Sequence, residues 1–376
     1  MNQKELREIR RRIQPEHNSM THIYGCYVNG GKEIIATLEE SLGLMTREEQ
    51  EKYFALLKKV LSGALGKNLV DLSFATKAVM EGEEYKALYD LRKSEGKDPG
   101  LREAFYQRVI EHTDMDGENY LILLAFDTYD VPRRRKDGAL DDSGDIYQYM
   151  LCAVCPVKPG KEELGYAPDD KRFHSATAGQ IVSAPQMGFL FPCFDERAAN
   201  IYNALLYTRD TQTLPQGFID GLFRVDPPLS AGEQKNSFES TLSQSLEKDC
   251  RFDVLQSIHE QLGERIQLHK ESKDPEPLTL SLGEMGQILE NSGASAQEAE
   301  QFCRRCEEEF GKDALLRPAN ISDAKTMRIQ TPEVKITVDP KYSCLVQSRV
   351  IEGKKYILIA ADSGVELNGV SVEIKD

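Results

Sequence analysis

Two apolar runs dominate the pattern of the chain. Glu118–Asp127 reads ENYLILLAFD and Ile146–Pro156 reads IYQYMLCAVCP. Between them Val131–Asp145, VPRRRKDGALDDSGD, has almost nothing to bury. Apolar runs of strand length predict two buried strands, and the charged insertion predicts a solvated loop protruding from the sheet. Upstream, alternation over Thr21–Val28, the turn residues Asn29-Gly30-Gly31 and renewed alternation over Lys32–Leu38 predict a hairpin.

Helical periods surround these strands. Leu6, Ile9 and Ile13 share one face of an amphipathic first segment, with Lys4, Arg7, Arg10, Arg11 and Arg12 around it. The capping-box pattern Thr46-Arg47-Glu48-Glu49 opens a helix whose apolar face holds Tyr53, Leu57, Val60 and Leu61 and which Gly63 and Gly66 end. Asn68–Phe74 reads as a strand. Glu83–Lys93 and Asp98–His112 read as helices, the second opened by Asp98 as N-cap with Pro99 behind it. Lys158–Ser175, polar and rich in Gly and Pro, predicts a loop. Gln180–Ala184 and Gly188–Phe191 predict short strands; Ala198–Thr208 fits either strand or helix, its β-branched and aromatic content favouring strand; and Pro215–Pro228 predicts a short helix and a break.

After Pro228 the character changes. Capping patterns at Ser230–Glu233, Ser281–Glu284 and Ser295–Glu298 announce helices, with another over Arg251–His269. From Met327 the period is two: Val334–Val338, Cys344–Ile351 and Lys354–Ala361 are expected strands, Glu352-Gly353 a tight turn, and Val365–Ile374 adds one or two more. The expected fold is α+β: an N-terminal mixed sheet with packed helices over 1–226, a helical segment over 227–325, and a small C-terminal antiparallel β-module over 326–376.

Charge narrows the function. Among 376 residues the formal net charge is −15, which repels phosphate backbones unless cations gather locally. Arg133, Arg134, Arg135 and Lys136 form the one run of four cations, and Arg7 with Arg10, Arg11 and Arg12 a second cationic surface. Eight cysteines behind a charged start, MNQKELREIRRRI, predict reduced thiols and a cytoplasmic protein. No window reaches the roughly 18 apolar residues of a bilayer span, so no membrane partner is expected.

Familiar chemistry is absent from the motifs. Cys152-Ala153-Val154-Cys155 lies in an expected strand, where i and i+3 point to opposite faces, and Cys303-Arg304-Arg305-Cys306 lies on an expected helix without a zinc-knuckle turn. Gly63–Asn68 fails the phosphate-loop spacing, and Asp114–Gly117 lacks the distant glutamate of a calcium loop. The six histidines are dispersed and show no metal-binding spacing. No metal, cofactor or catalytic residue is expected.

The stretches IYGCYVNGGKEI, LSGALGKNL, NYLILLAFDTYDVP, MLCAVCPV, GFLFPCFDERAANIYNALLYT and PPLSAGEQKNSF resemble a bacterial family catalogued as a domain of unknown function. More distantly, the order of elements resembles nucleoid-associated proteins of the NdpA type. In those, a strand pair leads into a long helix, further helices and an apolar hairpin; here these correspond to Ile34–Ser41, Glu48–Leu61, Tyr85–His112 and Tyr120–Phe126 with Tyr149–Val157. Phe302–Phe310, Met327–Val338 and Tyr356–Ile359 would match the helical region and short sheet that follow. This resemblance implies a non-enzymatic protein of the nucleoid, associated with DNA and with a topoisomerase or other chromosome-associated protein, and a homodimer. It carries over no residues, and the RRRKDGALDDSGD excursion departs from it.

The leading expectation is therefore DNA binding, with Arg133–Lys136 and the N-terminal arginines as phosphate contacts. The alternatives are a protein-interaction module using the edge near Val365–Ile374, and a metal-dependent hydrolase or nuclease using Asp141, Asp142 and Asp145.

Overall fold

The computed structural model describes the chain except residues 135–139, 168, 170, 178, 247–249, 313, 324–325, 363 and 374–376. At 133–134, 140–144, 162–163, 167, 174 and 176–177 it describes the backbone alone. The chain divides into two compact units, Met1–Ser230 and Ala231–Asp376. The helical segment and the β-module set apart in the sequence both fall within the second.

In the first unit the strands are β1 His22–Val28, β2 Ile34–Ser41, β3 Leu69–Ser73, β4 Asn119–Arg134, β5 Leu140–Pro159, β6 Glu162–Ala167, β7 Arg172–Thr177, β8 Gln180–Val182, β9 Met187–Phe191, β10 Cys193–Asp195, β11 Ala198–Asn200 and β12 Asn203–Thr208. The helices are α1 Gln3–Arg12, α2 Arg47–Val60, α3 Thr76–Glu81, α4 Glu83–Lys93, α5 Pro99–His112 and α6 Gln216–Leu222. One sheet runs β2-β1-β4-β5-β9-β12-β3, with β8 on the end of β5. Its pairings are all antiparallel, which corrects the expected mixed sheet. The physical reason is the element order. β1–β2 and β4–β5 are direct hairpins, and α3 to α5 are grouped between β3 and β4 rather than alternating with strands, so nothing builds a parallel crossover.

Side chains alternate across this sheet, and both faces are covered. Ile122, Leu124 and Phe126 of β4 pack with Leu88 of α4, Val109 of α5 and Phe218 of α6. Leu121, Leu123 and Ala125 pack with Ile9 of α1 and Leu57 of α2. A helix–sheet–helix sandwich explains why the sequence of β4 is a continuous apolar run rather than an alternating one. The same alternation separates Cys152 from Cys155, each fully buried, into opposite cores.

Two loop expectations need correction. The ladder does not stop where the apolar runs do: Val131 pairs with Asp145, then after a register shift Arg133 with Asp141 and Arg134 with Leu140. Backbone hydrogen bonds extend a hairpin whatever the polarity of its side chains. Within Lys158–Ser175 the chain forms the β6–β7 hairpin, which sits outside the main sheet.

The second unit holds α7 Ala231–Leu246, α8 Phe252–Ser272, β13 Leu280–Ser281, α9 Leu282–Asn291, α10 Ala296–Phe310, β14 Leu315–Leu316 and α11 Pro318–Ile321. Two of the three expected boxes, at Ser281 and Ser295, cap their helices reciprocally with Glu284 and Glu298. Phe238, Ile258, Leu262, Met285, Ile288 and Phe302 form its core. Three separate hairpins follow: β15 Met327–Gln330 with β16 Lys335–Val338, β17 Val346–Ile351 with β18 Lys354–Ile359, and β19 Val365–Leu367 with β20 Val370–Val372. Glu352 and Gly353 turn with φ of 51° and 78°, the left-handed pair a two-residue hairpin demands.

Candidate functional site

The first helix separates its residues by role. Asn2 caps α1 through the amides of Lys4 and Glu5, and Glu5 returns a bond to the Asn2 amide. Leu6, Ile9 and Ile13 enter the core. The spacing i, i+3, i+7 then leaves Lys4, Arg7 and Arg11 as one exposed stripe, with Arg10 exposed beside it. Among the described residues no acid forms an ion pair with any of these four.

Lys4, Arg7 and Arg11 line an open cleft of about 550 Å³ with Glu8, Arg12, His17 and Tyr129. Its one acid is already countered. Glu8 accepts from the Tyr129 hydroxyl at 2.6 Å and from Arg197 at 2.8 Å. Burial, and then the Glu8 carboxylate, push the Tyr129 phenol up to about 12.

Arg12 has a different task. Its Nε and Nη2 donate to the two oxygens of Asp127 at 3.0 and 3.2 Å, and its guanidinium lies 4.2 Å from the centre of the Tyr129 ring. The Asp127 side chain is fully buried and also accepts from the Ser19 amide, the Ser19 hydroxyl and the Tyr149 hydroxyl. A buried carboxylate is tolerable when its lone pairs and charge are answered in this way. Arg12 thus pins α1 to β4, whereas Arg10 and Arg11 point to solvent.

The second expected cluster leaves the same end of the sheet. Arg197 also donates to the Pro132 carbonyl at 3.1 Å. At about 3.3 Å per residue the backbone of Arg133 follows roughly 13 Å beyond Tyr129. The side chains of Arg133 and Arg134 lie outside the described set, as do Arg135 and Lys136 altogether; those of Asp141 and Asp142 also lie outside it. Sequence reasoning passed over Lys4 as a site residue, although its helical spacing to Arg7 and Arg11 was legible. It could not see Arg197, whose partner Glu8 is 189 residues away.

A second polar cavity, about 240 Å³, lies in the second unit. There His259 Nδ1 sits 3.0 Å from Ser322 Oγ, Ser343 Oγ donates to Glu260, and Gln256 donates to the Ser343 carbonyl at 2.8 Å. Burial holds His259 below its ordinary value. These bonds tie the segment around Ser343 to α8, and among the described residues no carboxylate is bonded to the imidazole to make a triad. Among the described residues no three His, Cys, Asp or Glu side chains gather to hold a metal. Burial pushes the thiols of Cys155 and Cys306 up to about 12, far from reactive thiolates. No helix among the described residues is long and apolar enough to cross a membrane.

A family model for a domain of unknown function, DUF4317, matches residues 1–370, and the chain belongs to that family. No curated protein matches it.

Proposed function

We propose that this member of the DUF4317 family is a non-enzymatic, nucleoid-associated DNA-binding protein that grips the phosphate backbone with α1. The observation that carries the reading is the unopposed stripe Lys4, Arg7 and Arg11 on a chain of net charge −15. An acidic protein approaches a polyanion only where cations are gathered and their own acids are occupied; here Glu8 and Asp127 are both answered from within the fold. Phosphate contacts of this kind position a protein without reading sequence, so binding should be tolerant of base composition.

The test is retardation of duplex and single-stranded DNA over a salt series. Four contacts from Lys4, Arg7, Arg10 and Arg11 predict a slope of log affinity against log salt of about −3.6 on duplex. Arg7→Glu with Arg11→Glu should abolish the shift and leave the folded state intact. Absence of retardation by the unaltered protein at low salt overturns the reading. One observation favours the interaction-module alternative: apolar side chains crowd the exposed C-terminal hairpins, among them Val350, Leu367 and Val370, each more than 60% exposed.

A further inference from the structure

We propose that the free edge of β18 is a self-association surface, covered by β18 of a second copy of this chain in antiparallel register across a two-fold axis. The proposal stands independently of DNA binding.

The sequence of β18, Lys-Lys-Tyr-Ile-Leu-Ile, ends in four successive apolar residues and so is apolar on both faces, as an interior strand is. Yet among the described residues β18 pairs only with β17, in a sheet of two strands. Ile359 is 53% exposed and Tyr356 42%; on the neighbouring strand Val350 is 68% exposed. Among the described residues from Met327 onward, Val346 is the single buried hydrophobic side chain. Proteins guard edge strands with charges, prolines or bulges; Lys354 and Lys355 guard the start of β18, and Tyr356–Ile359 carries none of these. The hairpin rests on α8 through β17, where Val346 is buried, and two further strands would widen it into a sheet of four.

Charge and symmetry select the occupant. Antiparallel edge pairing is isologous, so one strand can complement its own copy. Centred on Tyr356, so that each opposed pair shares a face, the pairing sets Lys354 opposite Leu358, Lys355 opposite Ile357 and Tyr356 opposite its own copy. No like charges meet, and the lysine stems lie over apolar neighbours with their ammonium groups in water. The short strand β19 fails the same test, because its centre would set Glu366 against Glu366. If α1 holds DNA as proposed, pairing doubles the number of stripes per particle and raises avidity without a new contact.

The experiment is the solution mass of the full chain by light scattering over a concentration series, with far-ultraviolet circular dichroism to confirm folding. The unaltered protein should show twice the chain mass. Leu358→Lys places lysine opposite Lys354 at both symmetry-related positions and should halve the mass. Adding Lys354→Glu turns those repulsive pairs into attractive ones and should restore the double mass. A single-chain mass for the unaltered protein overturns the proposal. So does a double mass that survives Leu358→Lys, or failure of the folded double variant to re-associate. A double mass without DNA retardation would instead sink the α1 reading and leave this one standing.

Discussion

Tyr120–Phe126 of β4 and Tyr356–Ile359 of β18 are the same kind of sequence in opposite surroundings. Every side chain of the first is at most 7% exposed, because β1 and β5 flank it and helices cover both faces of its sheet. The second lies at the edge of a two-stranded hairpin with Ile359 half in water. A run of apolar residues therefore states a requirement for cover on both faces. In the first unit the chain meets that requirement itself; among the described residues β18 is left with one free edge, and a second copy is the neighbour the register allows there.

The largest expected effect strikes the covered strand where its apolar run ends. Arg12→Ala would strand Asp127 as a buried, uncompensated carboxylate, and should destabilise the first unit by about 3–5 kcal/mol in urea unfolding. Arg11→Ala, one residue away and exposed, should change stability by no more than about 0.5 kcal/mol. Equal losses would mean that Arg12 is not the pin between α1 and β4.

A direct comparison of the two strands comes next. Leu124→Ala, at a fully buried position of β4, should cost about 2–5 kcal/mol because it leaves a cavity between packed layers. Ile359→Ala, made in the Leu358→Lys background to remove association, should cost less than about 1 kcal/mol. If both cost the same, β18 is covered within its own chain and the contrast collapses.

How much of this was legible follows from where the information sits. The β4–β5 hairpin, the boxes at Thr46, Ser281 and Ser295, the Asp98 cap and the Glu352-Gly353 turn are written within a few residues, and each forms as read. The antiparallel ladder through 131–134 and 140–145 was not legible, because its pairing depends on backbone groups that every residue has. The β6–β7 hairpin was hidden by Gly and Pro content that reads as loop. Arg12 looked like its neighbours Arg10 and Arg11 because its partner lies 115 residues away. The candidate site was therefore half visible: helical spacing gives the stripe, and only tertiary contacts show which arginine the fold uses for itself.

The smallest effect tests whether the segment carrying the exposed hairpins loosens on its own. His259 contacts Ser322 on the wall of a cavity that Lys235, Glu239, Glu260, Asp323 and Arg328 also face. Burial lowers its pKa from the ordinary 6.5; Glu239 opposes that shift and Lys235 adds to it. The unfolded chain thus binds a proton at higher pH than the folded one, so this residue's stability contribution is full above 6.5 and is lost as pH falls through the folded value. Hydrogen exchange should accordingly show α8 and the segment around Ser343 losing protection between about pH 7.5 and pH 5.5, while β4 and β5 hold theirs. His259→Gln, which cannot charge, should flatten that dependence. A pH response of equal size in the variant would assign the loosening to the carboxylates of the cavity, and an equal loss in β4 would show that the two regions do not differ in this respect.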